Sequence, residues 1–128
     1  MLRIIVLVFI GGGIGALVRE FLMLGIRTGY DGFPLDILAA NVIGSLVLGG
    51  AAALHARSRL GDTPYAFIGT GFCGGLTTFS SFVYASVVLM AASTQEAVVA
   101  VAYIVVSLAL GYGALRLGER LAGKGSVA

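Results

Sequence analysis

Charge is scarce in this sequence. Only 11% of its 128 residues are Asp, Glu, Lys or Arg, against 59% hydrophobic, whereas a soluble domain carries roughly 25% charged residues. Most of such a surface must face lipid or another apolar chain, which excludes an ordinary soluble domain and points to one small integral membrane domain. Cysteine is nearly absent too. Cys73 stands alone, which excludes an intrachain disulfide and any multi-cysteine metal site and leaves it as a small packing residue. The formal charge of +2 comes from a few arginines at the ends of apolar runs, so it speaks to topology and gives no support for a nucleic-acid partner. Only one histidine is present, His55 at the end of an apolar run, and no nucleophile has an evident base, so an enzyme is the least favoured class.

What the chain does have is four apolar runs, each near the roughly 20 residues that cross a bilayer. The charges set their bounds at about 4–26, 37–54, 64–92 and 97–115. The connections are short and hold the expected breakers: GYDGFP from Gly29 to Pro34, RSRLGDTP from Arg57 to Pro64, and STQE from Ser93 to Glu96. The expected fold is therefore all-α, with four transmembrane helices and membrane lipid around them.

The N-terminal run admits two other readings, and both fail. Arg3 followed by Ile4 to Ile10 resembles a short signal peptide, but the apolar run continues through GGGIGA without a persuasive cleavage site. The spacing of Gly11, Gly13 and Ala16 fits G-x-G-x-x-A, but a dinucleotide fold needs soluble βαβ units around it. Gly11, Gly12, Gly15 and Ala16 are better read as small residues that let helices approach closely in lipid. Gly44, Gly49, Gly50, Gly69, Gly71, Gly111 and Gly113 extend the same reading to the other spans.

The third run is the most informative. No charge occurs from Thr63 to Gln95, yet GFCGGLTTFSSF, from Gly71 to Phe82, places paired glycines and a hydroxyl cluster in the middle. That pattern predicts a span that unwinds at membrane depth, where free backbone groups are tolerated only if buried in protein or lining a polar path. Unwinding at Gly74 and Gly75 would free carbonyls whose partial charges suit a hard cation. A packing kink, with Thr77 and Thr78 bonded back to the helix, satisfies the same residues. Phe79 and Phe82 fall on one face of the following helix. Arg19, the deepest formal charge, reads either as a positive potential at an aqueous vestibule or as a structural anchor.

Taken together, G-x-G-x-x-x-R ending at Arg19, N-x-x-G from Asn41 to Gly44, GGLTTFSSF from Gly74 to Phe82, and Tyr103 with Ser107 resemble the Fluc, or CrcB, family of small fluoride channels across all four spans. The resemblance implies an antiparallel, dual-topology dimer of four-helix subunits in the cell inner (cytoplasmic) membrane. It implies two pores that export fluoride passively, with a central structural sodium ion held by backbone carbonyls of Gly74 and Thr77 from each subunit. The residues fit such a path. The positive edges of Phe79 and Phe82 suit a small anion without trapping it, and Asn41, Ser80, Ser107 and Tyr103 offer donors to replace its water.

The chain departs from that pattern in places. Ala85 stands where the family usually has an acidic residue, and Gly111 replaces a further serine of span four. Arg3, Arg57, Arg59, Arg116, Arg120 and Lys124 fall on one side of a four-span topology, against Arg19 and Arg27 on the other. That bias favours both termini inside, so the partner is either an inverted copy, making a homodimer, or an oppositely oriented paralogue. The alternative function is a small multidrug-type, proton-coupled exporter with four spans, which would want an acidic residue at mid-membrane. A purely structural subunit would explain the glycines and leave the polar track unused.

Overall fold

The computed structural model describes residues 1–26 and 32–123. Arg27 and Lys124, counted in the charge bias, and Gly29 to Asp31 of the GYDGFP connection lie outside the described residues. The described residues form α1 (Leu2–Gly25), α2 (Leu35–Ala56), α3 (Asp62–Tyr65), a π-helical segment (Ala66–Cys73), α4 (Gly74–Leu76), α5 (Phe79–Ala92) and α6 (Thr94–Gly123). They contain no strand. Four stretches are long and apolar enough to cross a membrane: Leu2–Gly25, Leu35–Ala56, Asp62–Ala92 and Thr94–Gly123. This is a multi-pass, all-helical membrane protein.

The helices outrun the apolar stretches, because a helix does not stop where lipid does. α6 continues eight residues beyond the apolar run, to Gly123, where Arg116 donates to Glu119 at 2.6 Å one turn on. Its start is set by Ser93, whose hydroxyl accepts the Glu96 N–H at 3.1 Å. α2 ends in a tight turn that places Ser58 at φ 56° and returns the Arg59 N–H to the Leu54 carbonyl. Across that turn the His55 ring stacks on Tyr65 at 4.3 Å, and its Nδ1 donates to the Leu60 carbonyl at 2.9 Å. His55 thus ties two spans together at their ends.

Glycine sets the packing. Gly11 and Gly15 share one face of α1, and the space a Cβ would need at each is filled by the backbone of Phe67 or Phe72. The arrangement is reciprocal: Gly71 and Gly75 press on the backbone of Val8 and Gly12. Two pairs of glycines, each spaced by four, therefore bring two helix backbones into direct contact, which is the means of association where lipid removes the hydrophobic drive. α2 and α6 do the same through Gly49 against Leu115 and Gly118 against Leu46. The buried residues of α1 are Gly11 and Gly15 alone, so its large apolar side chains face outward, as lipid requires.

Candidate functional site

The site is built around a change in backbone direction. α4 ends at Leu76, Thr77 (φ −79°, ψ 155°) and Thr78 (φ −145°, ψ 116°) are extended, and α5 starts at Phe79. A continuing helix would give the Thr78 N–H to the Gly74 carbonyl. Instead Thr78 N–H donates to Asn41 Oδ1 at 2.7 Å, and Asn41 Nδ2 donates to the Thr78 carbonyl at 3.2 Å. One carboxamide from α2 satisfies both backbone groups of Thr78, which unpaired burial would make costly. Thr78 also caps α5, its Oγ1 accepting the Ser81 N–H at 3.2 Å and donating to Ser81 Oγ at 3.0 Å. On the other side Arg19 Nη1 donates to the Thr77 carbonyl at 3.4 Å.

The direction change falls after Leu76, not at Gly74 and Gly75. Both glycines are helical because Gly75 is needed for close contact, pressed against the Gly12 carbonyl of α1. Thr77, meanwhile, returns its hydroxyl to the Cys73 carbonyl at 2.9 Å, the back-bond that the kink reading anticipates, and the chain leaves the helix immediately after it.

A cavity of about 540 Å³ opens beside this turn. Asn41, Gly74, Thr77, Phe79, Phe82 and Ser107 all line it, with Ser45, Gly111 and Tyr112. No charged side chain among the described residues lines it. The Phe79 and Phe82 rings lie 6.0 Å apart, and Phe82 lies 5.4 Å from Tyr103. Tyr103 is fully buried. Its hydroxyl and that of Ser107, one turn along α6, are buried with no well-formed hydrogen bond among the described residues. The two hydroxyls are polar neighbours on one face of α6, and buried hydroxyls without a well-formed bond are unusual in a folded protein.

Ser80 is not brought into that cavity. It lines a larger one, about 950 Å³, with Asp36, Ser81, Tyr84 and Ala85, because the first turn of α5 turns its phenylalanines one way and its serines the other. Three residues carry more of the site than their sequence context suggested. Thr78 is the partner of Asn41, and a threonine followed three positions later by serine at a helix start was the available signal. Tyr112 lines the smaller cavity at helical spacing from Ser107 and Leu108. Phe33, next to Pro34, packs its ring edge-on to Tyr103 at 5.3 Å and 89°.

Residues 6–119 match the CrcB-like protein family (Camphor Resistance, CrcB). The chain belongs to that family. It is 49% identical over 124 residues to the fluoride-specific ion channel FluC 2 of Brucella melitensis biotype 1, covering 97% of this chain and 46% of that one. It is 42% identical to the fluoride-specific ion channel FluC 3 of Yersinia pseudotuberculosis serotype I over 92% of this chain and 87% of that one. It is 40% identical to the fluoride-specific ion channel FluC 2 of Rhodococcus jostii, with 91% and 96% covered. The chain spans about half the length of the Brucella relatives it matches.

The cation expected from the sequence at the Gly74 and Thr77 carbonyls can be set against their surroundings. The local chemistry fits a hard ion. Gly74 is exposed, a Cβ there would meet nothing within 4 Å, and the N–H that would close the helix on its carbonyl goes to Asn41. The Thr77 carbonyl accepts from Arg19 at 3.4 Å, and a carbonyl oxygen carries a second lone pair.

Proposed function

We propose that this protein is a passive, fluoride-selective channel of the cytoplasmic membrane, not an enzyme, formed by two copies inserted in opposite orientations. In this reading the extended Thr77–Thr78 step breaks the third span at mid-membrane. The observation that carries the proposal is the uncharged cavity where Phe79 and Phe82 meet the orphaned Ser107 hydroxyl, beside that of Tyr103. A fixed positive charge there would hold an anion tightly and stop conduction. Ring edges and hydroxyls bind it weakly enough to let it leave.

Each residue then has a task. The hydroxyls of Tyr103 and Ser107 donate to an ion that has given up water, and Phe79 and Phe82 present positive ring edges to it. Phe79 is 78% exposed in the single chain, so the opposite wall of the path comes from a second copy. Arg19, bonded to the Thr77 carbonyl, serves as the structural anchor of that step. Asn41 holds the turn and keeps a second hydrogen on Nδ2 for the path. Ser80, facing the larger cavity, joins the path where the second copy closes that space. The carbonyls of Gly74 and Thr77 would hold a structural sodium ion, whose charge would offset the carbonyl dipoles that the two copies bring together. A proton-coupled exporter would need a carboxylate at mid-membrane, but Asp36, which lines the larger cavity, stands in the first turn of α2.

Efflux from liposomes tests the reading. Purified protein should release fluoride electrically without ATP or a proton gradient, with strong rejection of chloride and no transport of a cationic drug. Equal efflux of fluoride and chloride, or fluoride efflux that vanishes without a pH gradient, would sink it.

A further inference from the structure

Phe33 sits outside both cavities, and its contacts give it a role in the path all the same. It precedes Pro34, and the residue before a proline is restricted to extended backbone. Pro34 is itself buried, and its carbonyl accepts the Leu38 N–H at 3.1 Å, fixing the joint to the first turn of α2. The joint delivers the Phe33 ring edge-on to Tyr103, with centroids 5.3 Å apart and planes at 89°. That is the favoured geometry of an aromatic pair.

Tyr103 is therefore held on two sides, by Phe33 from the connection before α2 and by Phe82 from α5, whose ring lies 5.4 Å away. The Tyr103 hydroxyl makes no well-formed hydrogen bond among the described residues, with Ser107 its polar neighbour one turn on, so the rings packed against it do most to set where the hydroxyl stands. Removing Phe33 frees the ring to turn away from Ser107 and from the Phe82 edge. We infer that Phe33 is a positioning residue for conduction, acting through Tyr103: it fixes the phenol so that its unpaired hydroxyl stays available to the permeating ion. The inference rests on the channel reading above and deepens it.

The test compares fluoride efflux from liposomes for the parent chain, Phe33→Leu, Phe33→Tyr, Tyr103→Phe and the double variant Phe33→Leu with Tyr103→Phe. Phe33→Leu should lower flux about tenfold, on the scale of one aromatic pair, while Phe33→Tyr, which keeps the ring, retains flux near that of the parent. In the Tyr103→Phe background Phe33→Leu should cause little further loss, because the hydroxyl it positions is gone. Undiminished flux in Phe33→Leu, equal fractional loss in both backgrounds, or loss in Phe33→Tyr as severe as in Phe33→Leu would overturn the inference and return Phe33 to packing. Absence of fluoride flux from the parent chain would instead overturn the channel reading, and this inference with it.

Discussion

Asn41 on α2 closes a two-bond ring with Thr78, accepting its N–H at 2.7 Å and donating to its carbonyl at 3.2 Å. The carboxamide is the one side-chain group of this size that both accepts and donates in that fork. An aspartate would keep the acceptor and set its second oxygen against the Thr78 carbonyl. Asn41→Asp and Asn41→Leu should each lower stability by about 1–3 kcal/mol, the cost of leaving buried backbone groups unsatisfied, and depress fluoride efflux. Melting of the detergent-solubilised variants checks this, and an unchanged melting temperature for both would remove Asn41 from the clamp.

The orphaned hydroxyls give an opposite sign. A buried donor with no partner destabilises the fold by its lost hydration, so removing it relieves that cost. Tyr103→Phe and Ser107→Ala should therefore melt at or above the temperature of the parent chain while conducting fluoride less well. Few substitutions separate stability from function so cleanly. A fall in both melting temperature and flux would mean that the hydroxyls are bonded within the protein.

The aromatic pair yields a third prediction. Phe79→Ile and Phe82→Ile fill similar volume but lack a ring edge, so fluoride flux should fall severalfold or more while the elution volume of the assembled protein stays the same. The readout is flux at matched reconstitution levels. Normal flux from both variants would assign the rings to lipid-facing packing.

Four spans and their order were legible in the sequence, because charge scarcity acts locally, and the TTFSSF cluster marked the place where Thr77 and Thr78 are extended. The glycine pairs were legible as small-residue faces. Which glycine met which backbone was not, since Gly11 with Phe67 and Gly75 with Gly12 are contacts between segments far apart in the chain. The paired glycines at Gly74 and Gly75 suggested unwinding at their own position, yet close approach to α1 holds Gly75 helical and the turn falls two residues later. Asn41 was visible as a mid-span amide, whereas its partner Thr78 lies 37 residues away. Ser80 and Phe79 are sequence neighbours that face different cavities, as adjacent positions on a helix must.

Backbone contact makes glycine substitution a graded probe. At Gly15 and Gly75 an added methyl would overlap the Phe72 or Gly12 backbone, so Gly15→Ala and Gly75→Ala should destabilise by about 1–3 kcal/mol through overpacking. At Gly25 a methyl meets nothing within 4 Å among the described residues. Gly25→Ala should melt within a degree or two of the parent chain, or slightly above it, since alanine favours the helix. Equal tolerance at all three positions would refute the backbone-contact account of how α1 packs.

Orientation is the sharpest test of the proposed assembly. Arg3, Arg57, Arg59, Arg116 and Arg120 lie on one side of the four spans, and Arg19 on the other reaches inward to the Thr77 carbonyl. An arginine engaged in the interior counts less as a topology signal than one at the headgroups, so the bias toward cytoplasmic termini is strong. An antiparallel homodimer requires a substantial inverted population against that bias. The chain nevertheless carries Asn41, Phe79, Phe82 and Tyr103, to which the proposed path assigns roles, whereas a subunit dependent on a paralogue would be free to lose some of them. The expected outcome, for this chain expressed alone with a C-terminal tag, is labelling from both sides of the membrane together with fluoride flux. Replacing Arg57 and Arg59 with alanine should raise the inverted fraction. One-sided labelling without flux would point to an obligate, oppositely biased partner.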